Sequence, residues 1–260
     1  ISAIASEMHP GIKAFTLAFD KSISKYDELS EATETASMHN MKHVVSTLNA
    51  DVVLKNIDAM VIGYEEPFPS LAANFAISDI VSKENVKVVL NGLGGDELFY
   101  GYGHYRQLTQ WKKARKLYFM MGLVPFGMSR KLDNIKNSLG ASNVGEFYAS
   151  QYMTYNDALN SKLFGKSFCS LTRVEETYLP PDKQFTDELE ILSYLDMKSY
   201  IGNHHVHRTD QFTMHFSIEG RVPFLTIELA EFLYSLPEAY LISSTGETKN
   251  VFRKAMKGIL

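Results

Sequence analysis

Val86-Lys87-Val88-Val89-Leu90-Asn91-Gly92-Leu93-Gly94-Gly95-Asp96-Glu97 is the stretch from which the fold of this 260-residue chain can be read. Its first five residues, VKVVL, form a short apolar run rich in β-branched residues, the pattern of a buried strand. Three glycines follow within four positions, so the backbone can turn tightly and bring its amides close to a ligand. Two adjacent carboxylates then open a helix. In open parallel sheets ligands bind beyond the carboxyl ends of the strands, and this turn lies at such an end.

Upstream, short apolar runs alternate with amphipathic segments. Residues 13–19 (KAFTLAF) and 42–48 (KHVVSTL) read as strands, and residues 26–39, 51–65 and 70–83 as helices. Strands separated by helices of this length predict a parallel sheet with right-handed crossovers. After residue 105 the texture turns helical: a basic segment at 107–117, an apolar one at 120–127 broken by Pro125-Phe126-Gly127, and helical spacing from 146 to 214 interrupted at Leu179-Pro180-Pro181-Asp182. Two further helices are expected at 227–236 and 249–258. The expected organisation is an α/β part over residues 1–105 and a mostly helical part over residues 106–260.

Composition narrows the function classes. A net charge of −4 gives no basic surface for nucleic acid. No apolar run reaches membrane-spanning length, and residues 1–8 lack the basic leader of a signal peptide. Cys169, the single cysteine, cannot form an internal disulfide, which favours a cytoplasmic location and an inert packed thiol. Ile1, Ile4, Ala5 and Met8 recur at helical spacing with no capping residue before them, so further chain, including a first strand, is expected ahead of Ile1. Residues 249–260 likewise run out without a Gly or Pro stop.

Four sets of residues could carry chemistry. Asp96 and Glu97, opening a helix beside the glycine turn, suit a divalent cation carried by a nucleotide or, more plainly, a helix cap. Glu219-Gly220-Arg221-Val222-Pro223-Phe224-Leu225 places an acid and an arginine around a glycine, as a structural ion pair or a carboxylate clamp. Gly246-Glu247-Thr248-Lys249 with Arg253 puts two cations four residues apart on one helical face, suited to polyphosphate or to solvent. Glu65-Glu66-Pro67-Phe68 reads as a bend that could wall a pocket. His204 and His207 stand three positions apart, but no cysteine or acid stands among the three histidines His204, His205 and His207, so a metal site is not expected here.

Taken in order, these pieces resemble the synthetase domain of the asparagine synthetase family: FTLAF at 15–19, Tyr26-Asp27-Glu28, Glu66-Pro67-Phe68, LNGLGGDELFYGY at 90–102, EGRVPFL at 219–225 and GETK at 246–249. The resemblance spans nearly the whole chain. It implies an ATP-pyrophosphatase (adenine-nucleotide hydrolase-like) fold and an ATP- and Mg²⁺-dependent carbon–nitrogen ligase. Such a ligase adenylates aspartate to β-aspartyl-adenylate, which ammonia released from glutamine converts to asparagine. By position, Leu17 is expected at the adenine or ribose, Asn91 and Gly92 along the nucleotide, and Asp96 on Mg²⁺. Lys249 falls on the phosphates with Arg253 as a second candidate, and Glu97 and Arg221 contact or shape the amino-acid site. Asp96 and Lys249 would be the catalytic pair.

The resemblance also implies partners and departures. An amino-terminal glutaminase domain and a Ser-Gly-Gly-x-Asp-Ser-Ser phosphate loop, which the family places just before a helix like residues 1–8, are not in these residues, so the chain alone is expected to be inactive. A homodimer is a candidate assembly. Asn91 stands where the best-known members carry Ser, Leu93 where they carry Glu and Thr226 where they carry Asp. These differences keep two alternatives open: a related ligase acting on another carboxylate (uronate amidation or β-lactam-type cyclisation), and a non-catalytic remnant of the family.

Overall fold

Lys13–Phe19 (β1) and Lys42–Leu48 (β2) form at the bounds their apolar patterns predict, and pair in parallel from Lys13↔Lys42 to Phe19↔Leu48. The computed structural model describes residues 1–19, 28–65, 71–114, 130–152, 157–165 and 174–259. Tyr26-Asp27, Glu66-Pro67-Phe68, the apolar segment 120–127 and Cys169 lie outside the described residues.

The remaining elements follow in chain order. Ser2–Met8 is α1, Leu29–Met38 α2, Ala50–Tyr64 α3, Leu71–Lys83 α4 and Val88–Leu90 β3. Then come Gly95–Leu98 (α5), Gly103–Ala114 (α6), Arg130–Gly140 (α7), Val144–Tyr152 (α8), Asp157–Phe164 (α9), Val174–Tyr178 (α10) and Glu188–Leu195 (α11). A π-helical stretch, Asp196–Val206, joins α11 to His207–His215 (α12); Glu219–Arg221 is β4, and Ile227–Tyr234 (α13), Glu238–Leu241 (α14) and Asn250–Met256 (α15) end the chain. The fold is therefore mixed α/β, with parallel strands and a mostly helical content. Among the described residues no helix is long and apolar enough to cross a membrane.

Local chemistry accounts for the helix ends. Asn49 accepts from the Val52 amide at 2.9 Å and starts α3; Glu65, in the left-handed region at φ 67°, ends it. Asp187 accepts from the Glu190 amide, and the Glu190 carboxylate returns to the Thr186 amide at 2.7 Å, which opens α11 with paired caps.

Chain contacts divide the molecule into two units that interleave along the sequence. The first comprises residues 1–93, 204–226 and 256–260; the second comprises 94–203 and 227–255. In the first unit Met60, Tyr64, Leu71 and Phe75, from α3 and α4, close on Phe212 of α12. Phe212 meets Phe75 edge-on at 5.9 Å and stacks on Tyr64 at 5.8 Å. The second unit buries Tyr105, Leu108, Phe147, Leu192 and Leu195.

The single parallel sheet expected from β1, β2 and β3 is instead two parallel pairs. β3 pairs not with β1 but with β4, in the register Val88↔Glu219 to Leu90↔Arg221. Among the described residues neither β1 nor β3 has a second strand beside it.

Candidate functional site

Two groups of residues belong to the question of function, one in each unit. In the first unit a cavity of about 1110 Å³ is bordered by residues 12–17 of β1 and its approach and by residues 88–92 of β3 and the turn that follows. Consecutive strand residues point to opposite faces, so a border made of consecutive residues is a strand edge rather than a face. Both unpartnered edges thus line one cavity, and Val88 and Leu90 are 41% and 48% exposed although they belong to an apolar strand.

Leu17, Asn91 and Gly92 all line this cavity. Asn91 is fixed by its own backbone and side chain: its amide donates to the Arg221 carbonyl at 2.8 Å, and its Oδ1 accepts from the Leu93 amide at 3.1 Å. A Cβ added at Gly92 would meet nothing within 4 Å, so the main chain there is open to an approaching group. Arg221 is bound to Asn91 through backbone only. Its side chain is exposed and donates from Nε to Glu219 Oε1 at 2.9 Å, which holds the Glu219 carboxyl below its ordinary range. The EGR segment is therefore both a strand and an exposed ion pair.

In the second unit the glycine turn delivers Asp96. Gly94 has φ 90°, a backbone region open to glycine and costly for other residues, and its carbonyl accepts the first helical bond, from Leu98 at 3.0 Å. Asp96 sits in the first turn of α5, and its Oδ1 lies 2.8 Å from Lys249 Nζ. Those side chains are 42% and 28% exposed, so the pair is half solvated. The GETK segment and the glycine/acid block thus meet in space.

Lys249 is placed by three features. Its amide donates to the Phe99 carbonyl at 3.2 Å, its carbonyl accepts from Arg253 at 2.8 Å, and Phe252 packs on Phe99 with ring centroids 4.8 Å apart. Its backbone is left-handed at φ 55°, a conformation that costs a non-glycine residue about 1–2 kcal/mol and is concentrated at functional sites. Arg253 is exposed and turns to its own chain: Nε donates to the Thr248 carbonyl at 3.2 Å and stands 3.9 Å from Glu247.

Glu97 departs from Asp96 completely. It is 1% exposed, and its Oε1 accepts from the Tyr102 hydroxyl at 2.5 Å. Burial pushes its carboxyl above the usual range, against the opposing pull of that hydrogen bond. Gly101 lies against Asp96 and Lys249. A Cβ there would collide with both the Asp96 carboxylate and the Lys249 side chain, so the absence of a side chain is what lets the pair close.

Sequence patterns alone did not single out Gly101, Tyr102, Tyr105 or Asp196. The first two lie inside the quoted glycine-rich block, but nothing local says which neighbour excludes a side chain at 101. Tyr105 and Asp196 carry no motif at all.

Among the described residues no cluster of three or more acids, histidines or cysteines could hold a metal alone. Asp96 offers one accessible carboxylate beside an ammonium. That fits a hard cation that arrives already bound to phosphates, since Mg²⁺ keeps most of its ligands from water and phosphate.

Comparison with known proteins bears on the same residues. A family model described as asparagine synthase matches residues 1–260. The chain is 25% identical over 275 residues to asparagine synthetase [glutamine-hydrolyzing] 1 of Bacillus subtilis (strain 168), covering 100% of the chain and 42% of that protein. It is 26% identical over 271 residues to a putative asparagine synthetase [glutamine-hydrolyzing] of Mycobacterium tuberculosis (strain ATCC 25618 / H37Rv), covering 100% of the chain and 40% of that protein. Amidase chyE of Penicillium rubens is 24% identical over 283 residues, with 95% of the chain and 41% of that protein aligned. The chain spans about two fifths of the length of these relatives.

Proposed function

The chain belongs to the asparagine synthase family, and from that premise we propose that it is the synthetase part of an ATP-dependent amide-forming ligase with an ATP-pyrophosphatase-type fold and aspartate as its acid. The Asp96–Lys249 pair at 2.8 Å supports this reading most directly. It brings together an acid for a phosphate-borne cation and a cation for phosphate, from two segments 153 positions apart (249 − 96).

Leu17 is proposed to contact the adenine or ribose, and Asn91 and Gly92 to line the nucleotide, from the cavity of the first unit. Asp96 would hold Mg²⁺ and Lys249 the departing phosphates, with Arg253 as a second cation after its contacts with 247–248 are released. The bound Mg²⁺ would neutralise charge on the phosphates. In the first step a substrate carboxylate oxygen bonds to the α-phosphorus, the bond to the bridging oxygen breaks, and pyrophosphate leaves with the electron pair. In the second, ammonia bonds to the acyl carbon, AMP leaves, and the nitrogen loses a proton to give the amide. Lys249 stabilises charge that grows on the leaving group, and no protein nucleophile is required. Because the pair is half solvated, exchanging the Asp96–Lys249 contact for ligand contacts costs about 1 kcal/mol or less. Glu97 shapes the wall through Tyr102, and Arg221, freed from Glu219, is the proposed carboxylate contact. Ammonia from a glutaminase domain, a cytoplasmic location and a homodimer complete the proposal.

A second reading changes the acid: Leu93 and Thr226 replace acidic residues common in the best-known members, and one relative is named an amidase. Pyrophosphate release by the full polypeptide, with MgATP and aspartate, uronates or β-amino acids supplied in turn, separates the readings. Aspartate-stimulated release is the expected result. Release with another acid alone transfers the assignment to the second reading, and no release with any acid removes both.

A further inference from the structure

Asp196 is 0% exposed, yet it is a carboxylate at the head of the π-helical stretch that follows α11. It accepts from three side chains: the His104 imidazole at 2.8 Å and the Tyr105 hydroxyl at 2.6 Å on Oδ2, and the Tyr152 hydroxyl at 2.9 Å on Oδ1. Burying a carboxylate is costly even when it is satisfied, and π-helical segments concentrate at functional sites. Neither His104 nor Asp196 takes part in the chemistry proposed above.

Tyr105 connects this cluster to the turn that carries Asp96. Its hydroxyl, held by Asp196, also lies 3.2 Å from the Glu97 carbonyl, to which the Ser193 hydroxyl donates at 3.0 Å. Its ring stacks on Tyr100 at 4.7 Å with a 6° interplanar angle, and lies parallel to Tyr102 at 6.5 Å. Tyr100 and Tyr102 flank Gly101, the residue whose bareness lets Asp96 and Lys249 meet. Tyr100 is itself left-handed at φ 56°, so the turn needs outside support to persist. One immobilised ring therefore braces the turn at residue 97 and on both sides of residue 101.

We infer that Asp196 is a positioning residue for the Asp96–Lys249 pair, acting through Tyr105 on the 97–102 turn. The structural half of this inference stands without the MgATP reading; the functional half rests on it. Tyr152 provides the control, since it also gives Asp196 one hydroxyl but touches no residue of the turn in the contacts described here.

The test compares Tyr105→Phe with Tyr152→Phe in the full polypeptide, reading two quantities. The first is hydrogen exchange at the amides of Leu98 and Gly101, resolved by fragment mass spectrometry; the second is kcat for pyrophosphate release. Tyr105→Phe is expected to speed exchange at those amides about tenfold and to lower kcat about tenfold, the equivalent of one hydrogen bond. Tyr152→Phe is expected to change neither by more than about twofold. Should the two variants behave alike, or should Tyr105→Phe change exchange without changing kcat in an active enzyme, Asp196 is merely structural. If the unmutated protein releases no pyrophosphate with any acid, the functional reading falls while exchange still decides the positioning role. If Tyr105→Phe does not fold, Asp196→Asn, which keeps the shape and weakens the acceptor, is read in the same way.

Discussion

Replacing Gly101 with alanine tests the site at its tightest point. The added Cβ would fall on Asp96 Oδ1 and Lys249 Cε, so the two side chains must part. The effect on stability is small. An ion pair with 28% and 42% exposed partners contributes about 0.2–1 kcal/mol. The φ of Gly101 lies outside the left-handed region, so alanine also returns about 0.4–1 kcal/mol by restricting the unfolded chain. The two terms nearly cancel, and the melting temperature is expected to move by only a few degrees. Catalysis has no such offset. Misplacing two charged contacts, each worth about 1.5–3 kcal/mol, removes about 3–6 kcal/mol from the transition state, roughly a 10²–10⁴-fold loss. Pyrophosphate release by the full polypeptide, paired with a thermal melt, measures both. Retention of more than a tenth of the rate in a folded Gly101→Ala protein would refute the assignment of the Asp96–Lys249 pair to the chemistry.

Lys249→Met removes the charge and keeps most of the stem; it is expected to cost less than about 1 kcal/mol of stability and at least tenfold in rate, checked by urea midpoint and pyrophosphate release. Asn91→Ala leaves the Leu93 amide without its acceptor, which costs about 1 kcal/mol and weakens binding of a non-hydrolysable ATP analogue severalfold by calorimetry. His205 accepts from Arg208 at 3.0 Å, and burial lowers its pKa from 6.5 to about 4. Between those values only the unfolded chain takes up the proton, so stability is complete above pH 6.5 and is lost as pH falls toward 4. With allowance for partial exposure the loss is about 1–2 kcal/mol, and His205→Gln should flatten the melting temperature between pH 7 and 4.5.

The strands at 13–19 and 42–48 were legible because apolar residues crowd a short run bounded by polar ones, and α3 because its apolar spacing is helical and Asn49 caps it. β4 was not legible. Glu-Gly-Arg is charged, three residues long and alternates nothing; it becomes a strand because Asn91 donates to Arg221 and Glu219 donates to Lys87 across the chain. At the site, the family resemblance implied that Asp96 and Lys249 act together, and their side chains lie 2.8 Å apart. Gly101 could be seen as part of a glycine-rich block, but its steric reason depends on two residues outside its own local pattern. The Asp196 cluster was invisible because its partners at 104, 105 and 152 are far away in sequence and each looks like an ordinary core residue.

The pairing of β3 with β4 sets a timetable for synthesis. A ribosome that has just finished residue 93 must add 133 more (226 − 93) before the last internal piece of the first unit exists. At about 5–20 residues per second this takes roughly 7–27 s. Throughout that interval β3 lacks its partner β4 while the whole stretch 94–203 emerges and begins to collapse. For that time the strand offers an unpaired edge on which a neighbouring nascent chain can template itself.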